Sequence, residues 1–119
     1  MTATIIVIGS DEYNLALIRE LPGMKSAKIQ PVLHHDDVQP AHGRINFDDL
    51  YQRAKAGIEE AGGKPDAIIG DLDFPVSSLV SLLCRDFDIP YAKPEAIALC
   101  EHKWWMREQQ RAAMPDQTP

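Results

Sequence analysis

The sequence predicts an α/β domain, a three-layer α/β/α arrangement around a small parallel sheet of about four strands. Three observations carry this expectation. Short β-branched runs alternate with amphipathic helical stretches. The first run, Ile5 to Ile8, is apolar without interruption, as a strand buried on both faces requires. The chain has 119 residues, which suits one hydrophobic core rather than two.

The elements follow in order. Ile5 to Ile8 is the first strand and ends at Gly9. Ser10 or Asp11 caps a helix that runs to about Leu21, with Tyr13, Leu17 and Leu21 on one side. Pro22-Gly23 stops it. Ile29 to Leu33 is a weaker strand; Pro31 cannot donate to a ladder, so this strand is expected at an edge. His34 to Arg44 is polar and reads as a loop. Asn46 caps the next helix, whose stripe is Phe47, Leu50, Tyr51, Ala54, Ile58 and Ala61. Gly62-Gly63 ends that helix.

Ala67 to Gly70 is the third strand, followed by the acidic turn Asp71-Leu72-Asp73. Pro75 has the fixed φ of a first helical position, and Val76, Leu79, Val80, Leu83, Cys84 and Phe87 trace a helical stripe behind it. Ile89 to Ala92 is expected as a fourth strand. Pro94 to Leu99 and His102 to Ala113 read as helices, and Met114 to Pro119 as an extended tail. Strand–helix alternation of this kind implies right-handed crossovers.

Composition narrows the function. Apolar residues make up 45% and charged residues 25%, so the chain can bury a core and is not a disordered segment. The formal net charge is −6, which speaks against non-specific nucleic-acid binding. No basic region precedes the N-terminal apolar run, and the run is too short for a signal sequence or membrane span; a cytoplasmic protein without membrane attachment is expected. Cys84 and Cys100 have no metal-ligand spacing and are expected as reduced packing residues.

Ligands of open parallel sheets bind beyond the carboxyl ends of the strands, which singles out three loops. Gly9 to Asn14 holds one glycine and two acids, so it lacks the G-x-G-x-x-G approach to a pyrophosphate. His34, His35, Asp36, Asp37 and His42 are potential metal ligands. Adjacent histidines on an extended chain point to opposite sides, however, and a solvated loop is the better reading. Asp71 and Asp73 could form an acid–base pair; near a helix start, ionised aspartates also simply stabilise the turn. No metal site and no catalytic residue is assigned.

The last helix is more informative. Lys103, Arg107 and Arg111 are spaced by four and share a face, which is either a phosphate-contacting row or a solvated face paired with Glu101 and Glu108. Trp104 and Trp105 are adjacent, so both cannot face one small core; at least one should meet another surface.

The run Gly70-Asp71-Leu72-Asp73-Phe74-Pro75-Val76-Ser77, then Ile89-Pro90, Pro94-Glu95-Ala96, His102-Lys103 with Arg107, and Met114-Pro115 with Pro119, resembles the start of ATP-grasp enzymes. There a Rossmann-like pre-ATP-grasp domain ends in a Gly/Ile-Pro, Pro/Ser-x-Glu-Ala, Asp/His-Lys, Arg, Val-Pro-x-Pro series before the nucleotide-binding part. The resemblance implies residues 1–100 as that domain and residues 101–119 as a helix and linker toward an ATP-grasp domain. It implies ATP-dependent joining of a carboxylate to an amine or thiol through an acylphosphate. Lys103, and after it Arg107, would contact the nucleotide. ATP and magnesium belong to the complete enzyme, and none is expected on this chain alone, because the remaining cationic and metal-binding groups follow later in the family. The partner at the Trp104/Trp105 helix is then the absent domain or a second subunit, a homodimer included. Lys93 stands where relatives often have a capping Ser. The alternative is a stand-alone small-ligand-binding or regulatory α/β module.

Overall fold

The continuous run at the N-terminus becomes the central strand. β1 (Thr4–Ser10) lies between β2 (Lys28–His34) and β3 (Ala67–Gly70), in the order β2-β1-β3, with both pairings parallel. The computed structural model describes residues 2–117. Among these it has three strands, six α-helices and a terminal 3-10 turn at Pro115–Gln117. The chain is an α/β protein.

Register follows from burial. β1 pairs Ile5 with Ile29 and Ala67, and Ile8 with Val32 and Gly70. Val7 and Ile8 are fully buried, as the central position demands. The Lys28 N–H donates to Ala3. By alternation the even-numbered residues of β2 turn toward β1, and Pro31 turns to the free edge, where its missing N–H interrupts no ladder.

Local chemistry sets the helix ends. Asp11 caps α1 (Glu12–Glu20) by accepting from the Asn14 N–H at 2.7 Å, and Asn46 caps α3 (Phe47–Glu60) through the Asp49 N–H at 3.1 Å. α3 ends in a Schellman turn: Gly62 and Gly63 have positive φ, and the Gly63 N–H returns to Ile58. α4 (Val76–Asp86) ends the same way, with Asp88 at φ 56° in the position glycine usually takes. Its Ile89 N–H donates to Cys84.

One face of the sheet carries the larger core. α3 packs on β2, α4 packs on β3 and β1, and the two helices touch each other. Ile6, Ile8, Val32, Ile68, Leu50, Ala54, Ile58, Leu79 and Leu83 are buried together there. Alternation sends Ile5 and Val7 of β1 to the opposite face, where they are also buried, and Leu15 is the buried residue of α1.

Several expectations need correction. Ile89 to Ala92 is not a strand. The Ile89 N–H is spent on the end of α4, Pro90 has none, and the Ala92 carbonyl accepts from Ser81 Oγ. The sheet therefore has three strands rather than four. Pro75 is the N-cap of α4, not its first residue. His34 to Arg44 is not all loop, because α2 (His35–Val38) lies in it and buries Val38. The tail is a 3-10 turn rather than extended, with Thr118 and Pro119 outside the described residues. Tyr13 and Leu17 share a side of α1 but stay exposed, and Leu21 lies beyond the helix as its extended, exposed C-cap; Leu15 is the buried residue of α1. Cys100 is exposed, so only Cys84 is a packing residue.

α5 (Pro94–Glu101) carries α6 (Lys103–Ala113), which stands apart from this body. α5 packs on α4, whereas α6 packs on α5 and the terminal turn. Neither helix has a buried residue. The radius of gyration is 16.0 Å. A compact domain of this length would have about 13.5 Å.

Candidate functional site

Three places bear on function: the carboxyl ends of the strands, a cleft beside β2, and the arm.

At the strand ends, β1 and β2 bend in step. Gly9 has φ 68° and Leu33, at the matching position, has φ 60°. The pairing resumes at Ser10 and His34. Ser10, almost fully buried, donates from its hydroxyl to Asp71 at 3.1 Å, which ties the acidic turn after β3 to the end of β1. Asp71 and Asp73 are both exposed, and Asp71 accepts from Ser10. Phe74 and Phe47 stack beside this turn with ring centroids 6.1 Å apart.

The histidines do not converge on a metal position. His34 Nδ1 accepts from the Asp36 N–H at 3.2 Å, and the Asp37 carboxylate accepts from the His34 N–H at 2.8 Å, so the pair forms a capping box around α2. His42 lies beyond the helix and is exposed. Among the described residues no group of three or more His, Cys, Asp or Glu side chains is arranged to hold a metal ion. This use of His34 was hidden in the sequence because histidine is not among the usual N-cap residues.

Asp37 also accepts from Arg53 of α3 at 2.9 Å, which links α2 to α3. The His34 N–H, and then Arg53, hold the Asp37 carboxyl below the usual carboxylate range. Arg53 is held correspondingly higher by Asp37. A lowered folded-state pKa gives stability that is complete above the unfolded value, near 3.8, and is lost as the pH falls through the folded value. Asp37→Ala is therefore expected to lower stability by about 1 kcal/mol near neutral pH. Urea melts should show that deficit shrinking below about pH 4, where the wild-type carboxylate is protonated too. A deficit that does not change with pH would contradict the assignment.

An open cleft of about 930 Å³ follows the outer edge of β2 between α1 and α3. Its polar groups include Lys28, Arg53, Glu12, Asp37 and Glu60. The charges are mixed, and Arg53 is already paired with Asp37.

The arm carries the sequence-predicted site residues. His102 is the N-cap of α6: its Nδ1 accepts from the Trp105 N–H at 3.3 Å, and its ring stacks on Trp105 with centroids 4.1 Å apart. Lys103, Arg107 and Arg111 lie along one side of α6, all exposed. Arg111 pairs with Glu108 and sits 6.0 Å from the Trp104 ring. Arg107 donates to Gln110 at 3.2 Å. The Lys103 side chain makes no hydrogen bond or ion pair among the described residues. Glu101, expected as a partner of the basic row, instead accepts from Ser77 Oγ and Ser78 Oγ on α4. The solvated, self-paired face thus holds for Arg111 and Glu108, and Lys103 remains available. Trp104 and Trp105 are 63% and 50% exposed, so neither faces the core.

Cys84 is buried, and burial pushes its thiol pKa up, which leaves it a poor nucleophile. No helix among the described residues is long and apolar enough to cross a membrane. No family model, curated protein or solved structure matches this chain.

Proposed function

We propose that the chain is the N-terminal, Rossmann-like domain of an ATP-grasp ligase, and that α6 is its junction with the nucleotide-binding part. The burial of Val7 and Leu15 supports a helix on each face of the sheet and hence the three-layer, pre-ATP-grasp arrangement. The observation that carries the reading is α6 itself. It follows the Pro94-Glu95-Ala96 series, stands off the body, and exposes two indoles beside Lys103 and Arg107. Large exposed aromatics on a helix without a core to face mark a contact surface.

On this reading the parent protein is cytoplasmic and transfers the γ-phosphoryl group of ATP to a carboxylate, releasing ADP. An amine or thiol then attacks the acyl carbon, and phosphate leaves. Lys103 and Arg107 would meet the nucleotide phosphates from one side. Phosphoryl transfer also needs metal ligands and further cations around the moving group. Among the described residues no carboxylate set is arranged to hold magnesium; on this reading the absent domain supplies it, and the chain alone is inactive. A second copy could cover α6 in place of that domain.

The test is ADP formation by the product of the full reading frame, assayed over a panel of carboxylates with an amine or a thiol. ADP and phosphate should appear in step with the new bond. Lys103→Ala should raise the KM for ATP about tenfold, the loss of one charge-assisted contact worth roughly 1.4 kcal/mol. The 119-residue chain alone should give no turnover. A reading frame that stops at Pro119, or turnover by the isolated chain, would refute the proposal. The cleft beside β2 favours a second reading, a stand-alone small-ligand or regulatory module. A metabolite that raises the melting temperature of the isolated chain, with no downstream domain encoded, would favour it.

A further inference from the structure

No neighbouring side chain caps the start of α4, where the Ser77 N–H donates to the Asp73 carbonyl. Its N-cap is Pro75, which makes no side-chain capping bond, and its first turn holds no acidic residue. A helix N-terminus has unpaired N–H groups and a partial positive charge. The missing carboxylate arrives from elsewhere in the chain. Glu101, the last residue of α5, accepts from the hydroxyls of Ser77 and Ser78 in that first turn. One turn further on, the buried Ser81 donates to the Ala92 carbonyl, just before α5 begins. Three hydroxyls of α4 thus hold both ends of α5. α6 follows α5 after the single residue His102 and packs on α5 and the terminal turn.

We propose that Glu101 is the positioning residue of the arm: by docking on the first turn of α4 it sets the direction in which α6 presents Lys103 and Arg107. The functional consequence rests on the ATP-grasp reading, whereas the mechanical claim does not. Half-buried Glu101 stabilises α4 and fixes the hinge between α5 and α6 in one contact. Lys103 lies two residues beyond it, so a swing of the arm moves Lys103 before any residue of the body.

The chain carries its own reporter, because both of its tryptophans lie on α6. In the wild-type chain, indole anisotropy should decay mainly with whole-molecule tumbling. Glu101→Ala should add a nanosecond component and raise amide exchange across residues 94–113 by about tenfold, leaving β1, β3 and α3 unchanged. Glu101→Gln, which keeps an acceptor oxygen, should show a smaller change. A Ser77→Ala/Ser78→Ala variant should reproduce Glu101→Ala, and combining all three should add nothing, as expected for groups acting through one contact. Wild-type anisotropy and exchange in Glu101→Ala would overturn the proposal. So would an exchange increase spread evenly over the sheet, which would mark Glu101 as a general stabiliser only. Failure of the ligase assay would leave these readouts unaffected, so the two proposals fall separately.

Discussion

Gly9→Ala is expected to cost about 2–5 kcal/mol of folding stability. Two independent effects add there. The residue has φ 68°, in the left-handed region, where a Cβ costs roughly 1–2 kcal/mol. The position is also enclosed. An added Cβ would lie 2.9 and 3.0 Å from the two Val38 methyls and 3.2 Å from a Val76 methyl. Val38 and Val76 are fully buried, and a β-branched side chain cannot rotate away without meeting its own backbone. Overpacking of this kind costs about 1–3 kcal/mol. Chemical denaturation checks the sum. Pairing Gly9→Ala with Val38→Ala should return less than the packing share and none of the backbone share. A loss below about 1 kcal/mol for Gly9→Ala alone would show that β1 does not end in the conformation described.

Leu79→Ala is expected to lose about 2–5 kcal/mol. Leu79 is fully buried in the first half of α4 and belongs to the cluster with Ile8, Ile68 and Leu83 that joins this helix to the sheet. Truncation removes apolar contact and leaves a cavity that the rigid strands cannot close. The melting temperature should fall by roughly 10 °C for a domain of this size. Leu17→Ala is the control. Its side chain is 51% exposed on α1, and its replacement should change stability by no more than about 0.5 kcal/mol. A comparable loss for Leu17→Ala would mean that the α1 stripe is covered in solution, by a second copy for instance, and the loss would then depend on protein concentration.

Much of the fold was legible because it is local. The unbroken Ile5–Ile8 run needs no partner to be read as a buried strand, and the stripe from Phe47 to Ala61 needs only the helical period. Asp11 and Asn46 cap the helices they precede, and Gly62-Gly63 ends α3 with the positive φ values glycine allows. The error at Ile89 to Ala92 came from a competing use of the backbone. Its apolar residues suit a strand, but the end of α4 takes the Ile89 N–H and Ser81 takes the Ala92 carbonyl. The candidate site was half legible. The four-residue spacing of Lys103, Arg107 and Arg111 showed a basic row, and adjacent tryptophans showed that one must face outward. The partner of Glu101 lay on α4, separated by 24 residues in sequence, and no local pattern signals it.

The order of residues by itself determined that this chain alternates strands and helices, that Asp11 and Asn46 begin α1 and α3 and Gly62-Gly63 ends α3, and that its last helix is basic on one side. Those features depend on bonds and contacts within a few residues, so composition and period suffice to read them. Only the tertiary structure decided that the sheet stops at three strands, that the stripe of α1 stays in solvent, and that Glu101 ties the arm to α4. Each of these is a competition between distant groups for the same hydrogen bond or the same apolar surface, and its outcome exists only once the chain has folded.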